Sequence, residues 1–362
     1  MTMTEGERTH AGHATAVARR ALTSPVFLAW IVSRAISTVV LMVLGSRTPP
    51  HPDITRMVTW DGNWYQAIAH TGYGPPPRAG QWSAWPFFPL FPGITRLLHA
   101  LGSPYSLAMV VIANAATLVA LAGVWRIAKR HVSPTAATYA VWITALFPGA
   151  LTFTMGYPDS LFLAGSVWAF ALLEERKPLA AGLAALVATA ARPNGFVILI
   201  ALAVAVLVSR RRDPRVTLIE VVGPSMTFLI GWCAVLWYHT GDPFVFLSAK
   251  SAWTEFTIIE APGHPDALVH VVMAVVLVIP FVRRIRRQPP AWIVLVALSL
   301  VPSLLLGVVG LGRYAVQCFP LALSAGEAVE AVHPRVRQLV LTLMAAGLVA
   351  FGLLVTRASY VP

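Results

Sequence analysis

The chain has 362 residues, of which 57% are hydrophobic and only 12% charged, with a mean hydropathy of +0.70. Soluble domains carry about twice that charged fraction, so the composition excludes a soluble globular protein and indicates an all-α polytopic integral membrane protein. The formal net charge is +12, from 27 basic against 15 acidic residues. In a soluble chain such an excess would point to nucleic acid. In a membrane chain the positive-inside bias of cytoplasmic loops accounts for it, and no nucleic-acid partner is expected. Cys233 and Cys318 both lie inside apolar runs and read as packing thiols, with no disulfide or zinc spacing.

Residues 1–24 are polar and end in Arg19-Arg20, which reads as a cytoplasmic N-terminal tail. The apolar run at 27–45 is long enough to span and is read as an uncleaved first helix. From there, residues 25–362 are expected to form a single transmembrane domain. Residues 46–104 are read as one large outer loop. It contains Trp60-Asp61-Gly62-Asn63-Trp64-Tyr65 and, downstream, Gly72-Tyr73. Within it, 85–101 is apolar, but Pro86, Pro89 and Pro92 argue against a spanning helix at its start. Two interfacial helices are predicted in this loop, one at about 60–70 and one amphipathic from Gly93 onward. Further apolar runs lie near 105–125, 135–153, 159–173, 179–191, 195–208, 216–238, 267–282, 291–310, 314–332 and 338–356, giving about eleven spans.

Lys and Arg set the orientation. With the N-terminus inside and each run crossing once, the inner segments collect most of the basic residues. They hold Arg8, Arg19 and Arg20; Arg126, Lys129 and Arg130; Arg176 and Lys177; Arg210, Arg211, Arg212 and Arg215; Arg283, Arg284, Arg286 and Arg287; and Arg335 and Arg337.

That topology places the unusual polar clusters on the outer side. They are Asp61, then Tyr157-Pro158-Asp159-Ser160, then Arg192-Pro193-Asn194-Gly195. Asp242, Lys250, Glu255, Glu260, His264 and Asp266 share the next outer loop, and Gly312-Arg313-Tyr314 follows. Polar groups at a membrane face need a partner or a solvated cavity, so five clusters on one side suggest one converging site. Each also has a structural reading. Asp61 would cap a helix beginning at Gly62, and Asp159 one beginning at Ser160. Arg192 would serve as an interfacial anchor, and Arg34, mid-helix, would pair or face water. Arg313 at a helix start is unfavourable against the helix dipole unless an anion lies near. Trp82 and Trp85 read as interfacial belt residues, whereas Trp60, Trp64 and Tyr65 beside an acid suit a sugar face.

The order of these motifs resembles the PIG-V mannosyltransferase family, within the GT-C class of polyprenyl-phosphate-sugar glycosyltransferases. The residues that carry it are Trp60-Asp61 with Ile68-Ala69 and Gly72-Tyr73, then Phe87-Phe88-Pro89-Leu90-Phe91-Pro92. Tyr157-Pro158-Asp159-Ser160-Leu161-Phe162, Arg192-Pro193-Asn194-Gly195, Arg313-Tyr314 and Phe319-Pro320 complete it. The chain departs from eukaryotic members in having Gly74-Pro75-Pro76-Pro77 where an acid is common. It also carries Asp159 where Glu is common and Pro193 where Ser is frequent. Its Ala, Arg and Val content fits a bacterial member.

The resemblance implies a GT-C-like bundle in the cell membrane with its active site on the periplasmic or extracellular side. A mannosyl group would pass from polyprenyl-phosphate-mannose to a glycolipid, glycan or protein hydroxyl, with inversion. Asp61 is expected as general base. Arg313, Arg192 and Arg34 are expected to bind the donor phosphate, and Trp60, Trp64, Tyr65, Tyr157, Asp159, Asn194 and Tyr314 the substrates. No metal or other cofactor is expected, and no DxD pair lies on the outer side. The alternatives are a lipid or small-molecule transporter without chemistry, a transferase of another polyprenyl-phosphate-linked sugar, and a non-catalytic partner subunit with the same fold.

Overall fold

The computed structural model describes residues 24–44, 53–78, 80–209, 213–253 and 257–357. Most of the N-terminal tail, with Arg8, Arg19 and Arg20, lies outside the described residues, as do Arg210, Arg211, Arg212 and Glu255. The described residues form helices and turns with no strand.

Helix α1 (Pro25–Val39) continues into a π turn (Val40–Leu44). Two short helices follow, α2 (Asp61–Thr71) and α3 (Leu90–Ala100), where the sequence predicts two interfacial helices. The long α4 (Tyr105–His131) leads to α5 (Pro134–Leu146) and a 3-10 segment (Pro148–Phe153). Then come α6 (Asp159–Glu174), α7 (Pro178–Ala191), α8 (Phe196–Val208) and α9 (Pro214–Thr240). The chain closes with α10 (Pro265–Arg283), α11 (Pro290–Leu306), α12 (Leu311–Gln317), α13 (Phe319–Glu330) and α14 (Pro334–Thr356).

The abundance of proline has a positional reason. Pro25, Pro134, Pro178, Pro214, Pro265, Pro290 and Pro334 each open a helix. There the missing N–H costs no bond and the fixed φ suits the first turn. Pro148 and Pro320 act differently. The apolar runs read as continuous over 135–153 and 314–332 are each broken, at Phe147 and at Cys318, just before a proline that cannot donate to the preceding turn.

Among the described residues, five helices are long and apolar enough to cross a membrane: Pro25–Leu44, Tyr105–His131, Pro214–Thr240, Pro265–Arg283 and Pro334–Thr356. Lipid tails are as apolar as leucine, so helices in a bilayer associate through close packing more than through burial from water. The buried face of α7 is accordingly small (Ala181, Gly182, Ala185, Ala188, Thr189) and lies between α6 and α9. Phe88 is enclosed in a smaller cluster with Trp85 and Trp232, and Phe91, Phe153, Tyr157 and Phe319 are almost wholly enclosed in the main core. Cys318 is buried there, and Cys233 is only half-buried.

The two ends of the bundle differ in charge. One carries Arg126, Arg130 and Lys177 around Glu175, and Arg284 beside Glu327 at 3.4 Å. The other gathers the N-terminus of α2, the turn before α6, the turn after α7 and the short α12.

Candidate active site

Asp61 is the first residue of α2, and the backbone just before it is strained. Trp60 has φ 55° and ψ −123°, a region that bulky residues rarely enter. Such a conformation costs about 1–3 kcal/mol and persists only where the surroundings hold it. Here the Thr59 carbonyl accepts from Gly62 N at 2.9 Å and from the Tyr157 hydroxyl at 3.0 Å. Gly156 N donates to the Met57 carbonyl at 2.8 Å. The turn before α6 therefore clamps the segment that launches Asp61.

The helix starts at Asp61 itself, not at Gly62, and no side chain caps it. Asp61 is thus not an N-cap, and its Oδ2 accepts from Arg313 Nη1 at 3.0 Å. The capping reading fails for Asp159 too, because α6 begins at Asp159 with Pro158 before it and no side-chain cap. Asp159 Oδ1 accepts from Arg192 Nη1 at 2.7 Å and from Gln317 Nε2, with Arg313 Nε 3.4 Å away. Arg192 Nη1 also donates to Gln317 Oε1 at 3.2 Å, so it is a buried partner of Asp159 and not an interfacial anchor.

The result is an alternating chain of charge: Asp61, Arg313, Asp159, Arg192. The aromatic rings of the same motifs cover it. Arg313 lies 5.5 Å from the Tyr157 ring and 5.4 Å from the Tyr314 ring, and Arg192 lies 5.2 Å from Tyr314 and 5.9 Å from Phe162. A guanidinium over an aromatic face is attracted by the ring quadrupole, more strongly when desolvated. The arginine between two carboxylates also resolves the dipole conflict at the start of α12. Exposure separates the two acids. The Asp159 side chain is 1% exposed and that of Asp61 is 25% exposed. Asp61 is the carboxylate open to an incoming molecule.

Close backbone contact sets the position of α12. A Cβ added to Gly149 would lie 2.6 Å from the Gly312 carbonyl oxygen and 3.1 Å from Arg313 N. The glycine of Arg192-Pro193-Asn194-Gly195 has the same reason, since a Cβ there would collide with Thr189 Cα. Asn194 is half-buried beside Arg192, and its Oδ1 has no hydrogen-bond partner among the described residues.

The three aromatics expected to face a sugar do not form one open platform. Tyr65 is 4% exposed, its ring edge-on to Phe87 at 5.0 Å and to Phe91 at 5.4 Å. Burial pushes its phenol well above its ordinary value, Arg192 opposes this, and Asp61 and Asp159 add to it. Tyr157 is fully buried, and burial, reinforced by Asp61 and opposed by Arg313, raises its phenol likewise. Trp64 stacks on Phe87 at 6.0 Å and is half-buried, as is Trp60. Tyr314 is half-buried between the two arginines.

Arg34 is not brought to this cluster. It lies on α1 and bonds Thr117 of α4, whereas Gly156, beside Tyr157, meets α4 at Met109. Those two levels are about 12 Å apart along a helix. Gln317, in contrast, belongs to the site although none of the sequence motifs includes it. Its signal was its place one helical turn beyond Arg313 on the same face. Among the described residues no group of three or more His, Cys, Asp or Glu could hold a metal ion. The cation between Asp61 and Asp159 is the Arg313 guanidinium.

No protein-family model and no curated protein matches the chain. Solved structures do. The chain is similar to the apo oligosaccharyltransferase of Archaeoglobus fulgidus, with 14% identity and TM-score 0.55, over 92% of this chain and 56% of that one. It is similar to ArnT from Cupriavidus metallidurans bound to undecaprenyl phosphate, with 15% identity and TM-score 0.55, over 89% and 63%. The Archaeoglobus enzyme, AglB, in complex with an inhibitory peptide and a dolichol-phosphate matches at 14% identity and TM-score 0.50, over 92% and 56%. The chain spans about 56–63% of the length of these structures. At such identity the likeness is one of fold: this is a helical membrane protein that shares its architecture with those oligosaccharyltransferase and ArnT structures.

Proposed function

We propose that the protein is a PIG-V-like membrane glycosyltransferase that moves a mannosyl group, with inversion, from polyprenyl-phosphate-mannose to an acceptor hydroxyl. The observation that carries the reading is the alternating chain of Asp61, Arg313, Asp159 and Arg192 at one end of the bundle, with Asp61 alone partly open. Transfer from a lipid phosphate asks for a base at the acceptor oxygen and cations at the departing phosphate. Asp61 takes the acceptor proton as the oxygen attacks the anomeric carbon. Arg313 and Arg192 receive the charge that develops on the phosphate. Asp159 holds both arginines in place, and Gln317 holds Asp159. Tyr314, Trp64 and Asn194 border the site as sugar and acceptor contacts. The phosphate competes with Asp61 for Arg313, so donor binding frees the carboxylate to act as base.

The fold shared with AglB and ArnT supports this reading, because one AglB structure holds a dolichol-phosphate and the ArnT structure holds undecaprenyl phosphate, lipid carriers of the required class. The motif order supports the mannosyl donor. The distribution of Lys and Arg supports about eleven spans, counting the shorter apolar helices. It also supports a cytoplasmic N-terminus and a site on the periplasmic or extracellular face. The acceptor is a glycolipid, glycan or protein at that face.

A donor panel tests it. Membranes holding the protein are supplied in turn with polyprenyl-phosphate-linked mannose, glucose and arabinose, each radiolabelled in the sugar. The expected result is incorporation from the mannosyl donor alone, with the anomeric configuration of the donor inverted in the product. Incorporation from another donor only would overturn the mannosyl assignment, and incorporation from none would overturn the transferase.

A further inference from the structure

Arg34 is the most unusual side chain outside the site. It lies in the middle of α1, 6% exposed, and its one described hydrogen bond runs from Nη1 to Thr117 Oγ1 at 3.3 Å. Nε and Nη2 have no partner among the described residues, nor do Ser37 Oγ one turn further on and Thr154 Oγ1. An arginine at membrane depth is costly, so its position calls for a role.

The bonds around it lead somewhere specific. The Thr117 hydroxyl is shared between the Ala113 carbonyl at 2.8 Å and the Phe153 carbonyl at 2.9 Å. A hydroxyl has one proton, and a donor at its oxygen orients it. One turn away, Asn114 Nδ2 donates to the Thr154 carbonyl at 3.3 Å, and Trp30 Nε1 of α1 donates to the Asn114 carbonyl at 2.9 Å. Helices α1 and α4 thus grip the backbone of residues 153–154 from below. The same strand of chain holds Met57 and Thr59 from above through Gly156 and Tyr157, and these carry the strained Trp60 and then Asp61.

We infer that Arg34 is a positioning residue: through Thr117 it fixes the turn at 153–159 and thereby sets Asp61, Tyr157 and Asp159 against Arg313. This assigns Arg34 a part in the transfer proposed above and rests on that reading for its consequence, though not for its geometry. It does not touch the donor phosphate.

The test uses the full chain in lipid nanodiscs with Arg34→Met, Arg34→Lys, Thr117→Val and the double variant Arg34→Met/Thr117→Val. Amide hydrogen exchange over residues 153–157 is read beside donor kinetics. Arg34→Met and Thr117→Val are each expected to speed exchange in that turn about tenfold. The double variant is expected to do little more, because the two residues act in one chain of bonds. Lysine at 34 is expected to restore part of the protection. In transfer, kcat falls while KM for the donor stays within about twofold. Unchanged exchange in both single variants would overturn the inference. So would a raised donor KM with unchanged kcat, which marks a phosphate ligand. Thr117→Val is nearly isosteric, so the question stays open to test if Arg34→Met misfolds. If wild type transfers no sugar at all, the exchange arm still decides the positioning claim, and only the transferase reading falls.

Discussion

Asp61 and Asp159 are both paired with Arg313, yet their variants are expected to behave in opposite ways. Asp61 is partly open and makes one described salt bridge. Asp61→Asn keeps the shape and a hydrogen-bond acceptor, so thermal stability in detergent stays close to wild type while transfer falls about 10²–10⁴-fold, the span of a general base. Asp159 is enclosed with two arginines and a glutamine on one oxygen. Asp159→Ala leaves the buried Arg192 without its counter-charge, while Arg313 keeps Asp61, and breaking a buried pair in this way costs about 3–5 kcal/mol. A large drop in melting temperature for Asp159→Ala with little change for Asp61→Asn is the expected pattern, and the reverse order would contradict the assignment. The sequence assigns Asp61 as base and Asp159 to substrate binding, yet it offers both the same structural alternative, since each stands where a helix cap would be. Both helices start at the acid itself, which hands each carboxylate to a distant arginine, and what distinguishes the two is exposure, 25% for Asp61 against 1% for Asp159.

At the scale of elements, α12 is a two-turn helix whose placement depends on the contact between Gly149 and Gly312. Gly149→Ala would push a methyl group into the Gly312 carbonyl, move Arg313 away from Asp61, and lower both stability and transfer. Gly93→Ala, where nothing lies within 4 Å, serves as the control and is expected to be neutral in both measurements. The opposite end of α6 makes a separate, pH-dependent contribution. Arg126 above all, with Lys177 and Arg130, holds the Glu175 carboxyl down at about 2. A depressed carboxylate stabilises above its unfolded pKa, about 4.3, and that contribution fades as pH falls through the folded value near 2. Wild type and Glu175→Gln are therefore expected to differ in melting temperature at neutral pH and to converge between about pH 4 and 2. Element order was largely readable from apolar runs and prolines. The breaks at Phe147 and Cys318 were not, because apolar residues continue through them and only the missing N–H of Pro148 and Pro320 interrupts the helix. Gln317 was equally hidden, as a single polar residue whose meaning depends on Arg313 being one turn earlier on a helix that the run did not mark as separate.

At the scale of the whole molecule, two clusters of paired charge occupy opposite ends. Glu175 and its basic partners lie at one end, and the Asp61–Arg313–Asp159–Arg192 chain at the other. Patterning made the common location of the four motifs legible, since each falls between apolar runs of the same parity. It did not make the depth of Arg34 legible, because a cation inside an apolar run gives no indication of which neighbour it meets. Nor did it show that Tyr65 and Tyr157 turn inward to pack. Aromatic residues near an acid look the same in sequence whether they face a ligand or the core.

The most direct measurement is transfer of radiolabelled mannose from polyprenyl-phosphate-mannose into lipid, glycan and protein fractions. Three membranes are compared: one with wild-type protein, one with an equal amount of Asp61→Asn, and one with neither. Label that enters one fraction with wild type and falls to the level of the empty membrane with Asp61→Asn is the expected result, and that fraction identifies the acceptor class. Equal label in the wild-type and Asp61→Asn membranes, above that in the empty one, would contradict Asp61 as the base. Equal label in all three would contradict mannosyl transfer by this chain.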